Sequence, residues 1–225
     1  QFIKNNSLMT AGMVVMQGLR SPSMTAILSQ GRRDIAKGRI GDALSPNEYA
    51  AINGYIGEKL MLSYKNRILA QDYEGLIAPF KHRTETRLWQ TEFWGKWFTS
   101  AVSAFRYHPT PELKTVLDKA VAGLIATQTP DGYIGNYAPS SRLEQWDIWG
   151  MKYCMAGLLA YHALTRDSQS LSSCTKLADY LISELSRQNR QVVQTGNFRG
   201  MASTSVLGVI CSLYAETGDK KYLDF

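Results

Sequence analysis

The stretch AGLLAYHALTRDSQSLSSCTKLADYLISEL, residues 156–185, decides the fold. It opens with an apolar run rich in small residues, passes through the polar turn TRDSQS, and continues with apolar positions in steps of three and four. That pattern predicts a helix buried all round, a short turn and a second, amphipathic helix with a charged outer face. Two other stretches align with it: FTSAVSAFRYHPTPELKTVLDKAVAGLIATQ from Phe98, and GVICSLYAETGDKKYLDF from Gly208. Leu113, Leu171 and Leu223 take equivalent places, six residues after Tyr107, Thr165 and Thr217. A helical pair recurring roughly every 50 residues or slightly more marks a helical array. Alternating β-branched runs are nearly absent, so the expected fold class is all-α.

The segments between these helices fall into two kinds. Turns within a pair are short: YHPTPE, TRDSQS and TGDKK. Connections between pairs are long: KHRTETRLWQTEFWG, DGYIGNYAPSSRLEQWDIWG and QNRQVVQTGNFRG. In an up-down array the long connections gather at one end, which makes that end the expected functional face. Upstream, Ile56, Leu60, Tyr64, Arg67, Ile68 and Gln71 predict one helix over about 58–72. Residues 1–50 are punctuated by Gly and Ser and are expected to pack on the array formed by 51–225. About three and a half hairpins fit before Phe225, and a stacked array needs its last repeat closed. The expectation is that further helices complete the domain.

Composition narrows the function class. The chain has 225 residues, 44% of them hydrophobic and 20% charged, with a formal charge of +6. Its cations are scattered except for Arg32, Arg33, Lys37 and Arg39, which read as a solvated face: no aromatic platform or base-reading motif for nucleic acid adjoins them. Cys154, Cys174 and Cys211 are far apart and odd in number, so they form no disulfide framework and no paired metal motif, and each is expected as a small buried hydrophobe. His82, His108 and His162 lack metal-ligand spacing. No apolar run reaches the ~18 residues of a membrane span. The start at Gln1, without Met, reads as a trimmed or processed product, and an exported location is the expectation.

The connection 131–152 carries the densest chemistry: Tyr133, Tyr137, Trp146 and Trp149 interleaved with Asp131, Asp147 and Lys152. Long, aromatic loops of this kind are seldom mere connectors. Flat apolar faces beside carboxylates and a cation suit a sugar, which has both C–H faces and hydroxyls. With Trp94 these aromatics are candidates for stacking on a sugar or closing a cavity floor, whereas Trp89 and Trp97 read as core. Asp131 serves either the D-G-Y turn or a ligand. Asp147 serves either as a helix N-cap or as an acceptor from sugar hydroxyls. Lys152, on the first turn of a buried helix, needs an anionic partner or a cavity, and Glu92 is the candidate partner. Arg199 and Ser203 sit at the matching end of the next hairpin, where an Arg fork would suit a carboxylated sugar or a helix-end ion pair. Asp131, Asp147 and Glu92 could supply the carboxylate pair of a general glycosidase.

Six stretches together resemble one family: GYIGEKLMLSYKNRILAQD (54–72), LIAPFKHR (76–83), TEFWGKWFTSAV (91–102), ATQTPDGYIGNY (126–137), WDIWGMKYCMAGLLAYHALT (146–165) and NFRGMASTSVLGVICSLYAETGDKKYLDF (197–225). They resemble the N-terminal half of the catalytic domain of family 127 glycoside hydrolases, the β-L-arabinofuranosidase-like proteins. The resemblance implies an (α/α)6 toroid of six helical hairpins, six-hairpin glycosidase-like and incomplete in this chain. It implies hydrolysis of L-arabinofuranose-like sugars in glycans, by a cysteine nucleophile held near zinc by other cysteines and a glutamate, with a glutamate acid/base. Those residues belong to the later half of the domain and none maps onto this chain, so the resemblance makes Asp131, Asp147 and Glu92 binding residues. The chain departs from the pattern at Gly208 and Val209, where an acidic residue and proline are expected. The basic residue at Lys152 fits the pattern, but where relatives grip the substrate with histidines near these loop ends, Asp147, Lys152 and Ser203 occupy the neighbourhood. A non-catalytic carbohydrate-binding relative and an unrelated α/α-toroid lyase or epimerase are the alternatives.

Overall fold

The computed structural model describes residues 51–225, where every regular element is helical apart from one isolated parallel bridge between Glu85 and Tyr137. The segment 1–50 and its basic cluster lie outside the described residues. In chain order the helices are α1 (Gly54–Ser63), continued by a π-helical segment Tyr64–Leu69; α2 (Tyr73–His82); α3 (Thr91–Tyr107); α4 (Pro111–Ile125); α5 (Asp147–Thr165); α6 (Ser168–Arg187); α7 (Met201–Thr204); α8 (Leu207–Thr217); and α9 (Lys220–Asp224). The helix expected over 58–72 is therefore α1 and its π-helical extension, beginning earlier and ending at Leu69.

Packing sorts these helices into two layers. α3 packs most extensively on α5, the π-helical segment leans on α3, and α8 continues the inner row beyond α5. α4, α6 and α9 double back on their inner partners, and α2, α4 and α6 touch in turn as the outer row. This is an arc of an all-α, (α/α) toroid. α5 is buried around most of its circumference, through Ile148, Met151, Cys154, Met155, Leu158 and Tyr161. α6 buries one stripe, including Cys174, Leu177, Leu181 and Leu185, and leaves Lys176, Ser183 and Arg187 in solvent.

The short turns share one device. A polar side chain caps each outer helix by accepting a backbone N–H that would otherwise lack a partner. Asp72 accepts from Gly75 at 2.9 Å, Thr110 from Leu113 at 3.2 Å, Asp167 from Ser170 at 2.7 Å and Asp219 from Lys221 at 3.1 Å. Tyr107, Thr165 and Thr217 are each the last residue of an inner helix, as the repeat predicts. The leucine alignment is one residue out. The turn after Tyr107 runs through His108, Pro109 and Thr110, one residue longer than the other two, so Leu113 matches Ser170 and Tyr222. All three of those are buried, whereas Leu223 is exposed.

α3 and α5 come together across glycines. A Cβ on Gly95 would run into the Tyr153 carbonyl, one on Gly150 into Thr91, and one on Gly157 into the Trp94 ring. That ring stacks on Phe98 with centroids 4.5 Å apart and planes 12° from parallel. Trp94 is fully buried here, so the structure makes it a core residue and not a sugar platform. Trp97 is buried as expected, but Trp89 is 45% exposed. Its loop carries the ring clear of the packed layers. Two further corrections concern α8. Only Ile210 and Leu213 of that helix are buried, and Cys211 and Leu207 face outward. Among the described residues α8 has a neighbour in the inner row on one side only, so its apolar character does not translate into burial all round.

Candidate functional site

The three long connections meet where α3 and α5 begin. Glu85 donates its N–H to the Asn136 carbonyl at 3.0 Å, and Ala138 donates to the Glu85 carbonyl at 2.8 Å. The Tyr137 hydroxyl donates to the Leu88 carbonyl at 2.8 Å. Asn197 donates to the Gln145 carbonyl at 3.0 Å, and Arg190 pairs with Glu144 at 2.6 Å. Each connection is thus tied to the next.

Between α4 and α5 the chain splits into two functions. The first half anchors. Gly132 has φ +95°, a conformation open to glycine, and a Cβ there would also strike the Lys176 carbonyl of α6. Asp131 accepts from Thr129 and from Arg142 Nη1, the latter at 2.9 Å. Burial pulls the Asp131 carboxyl upward, and these hydrogen bonds more than offset it, leaving it below the ordinary carboxylate range. The Arg142 guanidinium lies 4.0 Å from the centroid of the Tyr133 ring and reaches the Tyr180 hydroxyl at 3.4 Å. Asp131 is therefore turn chemistry. Tyr133 and Tyr137 have no exposed ring face and cannot stack on a ligand.

Asp147 completes the anchor. It is the first residue of α5, with Trp146 at the N-cap, so neither expected role fits. Oδ1 accepts from the Tyr133 hydroxyl at 2.6 Å, and Oδ2 accepts from the Leu143 N–H at 2.8 Å. With 1% exposure and both oxygens engaged, it offers nothing to a sugar hydroxyl. Burial pushes its carboxyl up to about 7, against the downward pull of the two hydrogen bonds and of Arg142. Leu143 stands at φ +68°, a left-handed conformation that the bond to Asp147 helps hold. Ser203 is likewise structural: it is buried and donates to the Thr195 carbonyl at 3.1 Å.

The second half of the connection displays. Trp146 and Trp149, both half-buried, meet edge to face at 5.9 Å. Trp146 also meets the exposed Trp89 at 6.0 Å and the exposed Phe198 at 5.5 Å, and Trp149 meets Tyr153 at 5.3 Å. Five rings from all three connections and the start of α5 therefore form one continuous aromatic row. Phe198, Arg199 and Gly200 have φ of +56°, +54° and +81°, so two non-glycine residues are held in the left-handed region at its edge. Arg199 is exposed, and no ion pair forms on it among the described residues.

Charge sits beside this row. Glu92, on the first turn of α3 and 8% exposed, pairs with Lys96 at 2.8 Å and accepts the indole N–H of Trp149. Its ion-pair partner is therefore Lys96, not Lys152. The Lys152 ammonium lies 3.8 Å from the Trp149 centroid and 3.9 Å from that of Tyr153, a cation–π arrangement. Burial, followed by the like charge of Lys96, holds it below the ordinary lysine range. Of the residues singled out from sequence, Glu92, Trp146, Trp149 and Lys152 gather here, and Arg199 follows Phe198 on the adjoining loop. Lys96, Tyr153, Phe198 and Trp89 belong to the same group and were missed. Lys96 and Tyr153 each follow a chosen residue, Glu92 and Trp149, by one helical turn, a signal that was readable.

A shallow cavity of about 260 Å³ adjoins the row, lined by Leu88, Trp89, Gln90 and Phe93. A larger one, about 440 Å³, lies between α1 and α3 among Leu60, Met61, Tyr64, Ile68 and Tyr107. It is mostly apolar and gathers no charged groups, so the chemistry stays with the aromatic row. The described residues do not form a set that would hold the zinc the family resemblance implies. Cys154 and Cys174 are buried thiols whose pKa burial raises, Cys211 is exposed on α8, and no metal-holding group of three His, Cys, Asp or Glu side chains occurs among the described residues. None of the described helices is long and apolar enough to cross a membrane.

Residues 49–225 match the family described as beta-L-arabinofuranosidase, GH127 catalytic domain. A non-reducing end beta-L-arabinofuranosidase of Bifidobacterium longum subsp. longum is 29% identical over 141 residues, which are 57% of this chain and 20% of that protein. Among solved structures, a GH127 beta-L-arabinofuranosidase from Geobacillus stearothermophilus T6 matches with a TM-score of 0.60 at 16% identity, covering 79% of this chain and 31% of that one. A second GH127 beta-arabinofuranosidase matches with a TM-score of 0.52 at 19% identity, covering 78% and 31%. At these identities the structural likeness establishes the fold. The chain spans less than a third of the length of these relatives.

Proposed function

The chain belongs to the GH127 beta-L-arabinofuranosidase catalytic-domain family, and from that premise we propose that its protein is a glycoside hydrolase acting on L-arabinofuranose-like sugars, with this segment forming one wall of the substrate site. The observation that carries the reading is the aromatic row Trp89, Trp146, Trp149 and Tyr153, with Phe198, set beside the Glu92–Lys96 pair and Lys152 at the gathered-loop end. Indole and phenol faces suit the C–H face of a sugar ring, and charged groups alongside them suit its hydroxyls. In this reading the chain binds and orients. The nucleophile, the acid/base and the zinc that the family resemblance implies are supplied by other parts of the protein, and no residue described here is given a bond-breaking role.

The test is hydrolysis of p-nitrophenyl β-L-arabinofuranoside by the intact protein, wild type against Trp149→Ala. Losing the platform should lower kcat/KM at least tenfold, about 1.4 kcal/mol of transition-state stabilisation. A wild-type protein that releases no arabinose, or a variant as active as wild type, would overturn the assignment.

A further inference from the structure

Charge at the aromatic row does not balance. Glu92 spends one carboxylate oxygen on Lys96 and the other on the Trp149 indole. Lys152 is thereby left facing two rings, with no carboxylate in ion-pair reach among the described residues. Lys96 also approaches those rings, at 5.1 Å from the Tyr153 centroid and 5.9 Å from that of Trp149. Two ammonium groups and one carboxylate therefore stand around a single pair of rings; the carboxylate is bonded to the exposed Lys96, and the excess positive charge falls on the partly buried Lys152. Arg199, exposed and unpaired among the described residues, adds a third cation on the loop whose Phe198 ring closes the row against Trp146. A half-buried cation without an anion is costly, and an incoming anion relieves both the desolvation and the repulsion between the lysines. The rings around it restrict that anion to one carried on a flat, partly apolar ligand.

We infer that this site selects a sugar residue bearing a carboxylate, with the carboxylate on Lys152 and the sugar ring on the Trp146–Trp149 face. The inference rests on the proposed sugar-binding reading and sharpens it. Consistent with it, burial and Lys96 together hold the Lys152 ammonium below the ordinary lysine range, a strain that a bound carboxylate would relieve.

Calorimetric titration of the intact protein with methyl β-L-arabinofuranoside and with its 5-carboxylate tests the idea. The carboxylate should bind about tenfold more tightly, a preference that shrinks as salt rises from low to physiological concentration and beyond. In Lys152→Met, which keeps the apolar stem, the ratio of the two affinities should fall to near one. Lys152→Arg should keep it above one, which separates loss of charge from damage to the fold. Equal affinities in wild type, or a preference that survives Lys152→Met, would overturn the carboxylate assignment alone. Failure of both sugars to bind would overturn both it and the sugar-binding reading.

Discussion

Removing one hydroxyl, in Tyr133→Phe, tests whether the anchor half of the loop holds the display half. That hydroxyl donates to Asp147 at 2.6 Å and accepts the Tyr137 N–H at 3.1 Å, and all three residues are buried. Phenylalanine preserves the ring's packing against Arg142 and Tyr180, so only the hydrogen bonds change. Above pH 7, where Asp147 is ionised, a bond to its charged carboxylate contributes about 1.5–3 kcal/mol, and the orphaned Tyr137 N–H costs about 1–3 kcal/mol. These overlap, and a loss of roughly 2–4 kcal/mol is expected, a large part of the ~5–15 kcal/mol that holds a domain together. Asp147→Asn attacks the same clasp from the other side. An amide can accept from Tyr133 or from Leu143, but its nitrogen then faces the remaining donor. Urea unfolding at constant m-value reads both variants, and the double variant should lose at least about 1 kcal/mol less than the sum of the singles, because they break one network. A loss below about 0.5 kcal/mol for Tyr133→Phe, or strict additivity, would refute the clasp.

Two more outcomes follow from the same geometry. Burial raises the Asp147 carboxyl from its ordinary 3.8 to about 7 in the folded chain, so the folded state holds this proton more tightly than the unfolded one. Its contribution to stability is therefore complete below about pH 4 and is lost as pH rises through 7, and the wild-type advantage over Asp147→Asn in urea titrations should shrink across that window; an advantage that grows with pH would contradict it. Gly95→Ala places a methyl against the Tyr153 carbonyl, a backbone atom that cannot turn aside, and should cost at least about 1–3 kcal/mol where α3 meets α5, read as a fall in the urea midpoint; a neutral result would show that the two helices sit farther apart.

The fold was largely legible because each of its devices is local. The ends of α3, α5 and α8 fall on Tyr107, Thr165 and Thr217, where an apolar run gives way to a capping residue, and both signals lie within a few residues of each other. The site was harder to read because its roles are decided across the chain. Asp147 looked free for a ligand, yet its partners are Tyr133, fourteen residues upstream, and the backbone of Leu143. Trp94 and Trp89 have similar sequence surroundings, but one faces Gly157 on α5 and the other stands on a loop with no covering helix. Burial of α8 depends on a neighbour in space, which no periodicity within α8 reports. Phe198 was invisible for a further reason: its ring joins the row through a left-handed backbone that favours glycine, so its propensity pointed elsewhere.

The division of the 126–146 connection into a clasp and a display has a consequence for how such proteins diversify. Tyr133, Asp131, Arg142 and Asp147 bond to one another and to nearby backbone. They touch the display residues only through main chain, where the Tyr137 hydroxyl accepts the Trp146 N–H at 3.2 Å, so no side chain of Trp146, Trp149 or Lys152 is needed to hold the clasp. A lineage can therefore exchange the residues that greet the ligand while the scaffold under them stays constant, and specificity can drift through mutations that leave expression and thermal tolerance almost unmoved. Changes in the clasp have the opposite fate, removed by instability before any new ligand is tried.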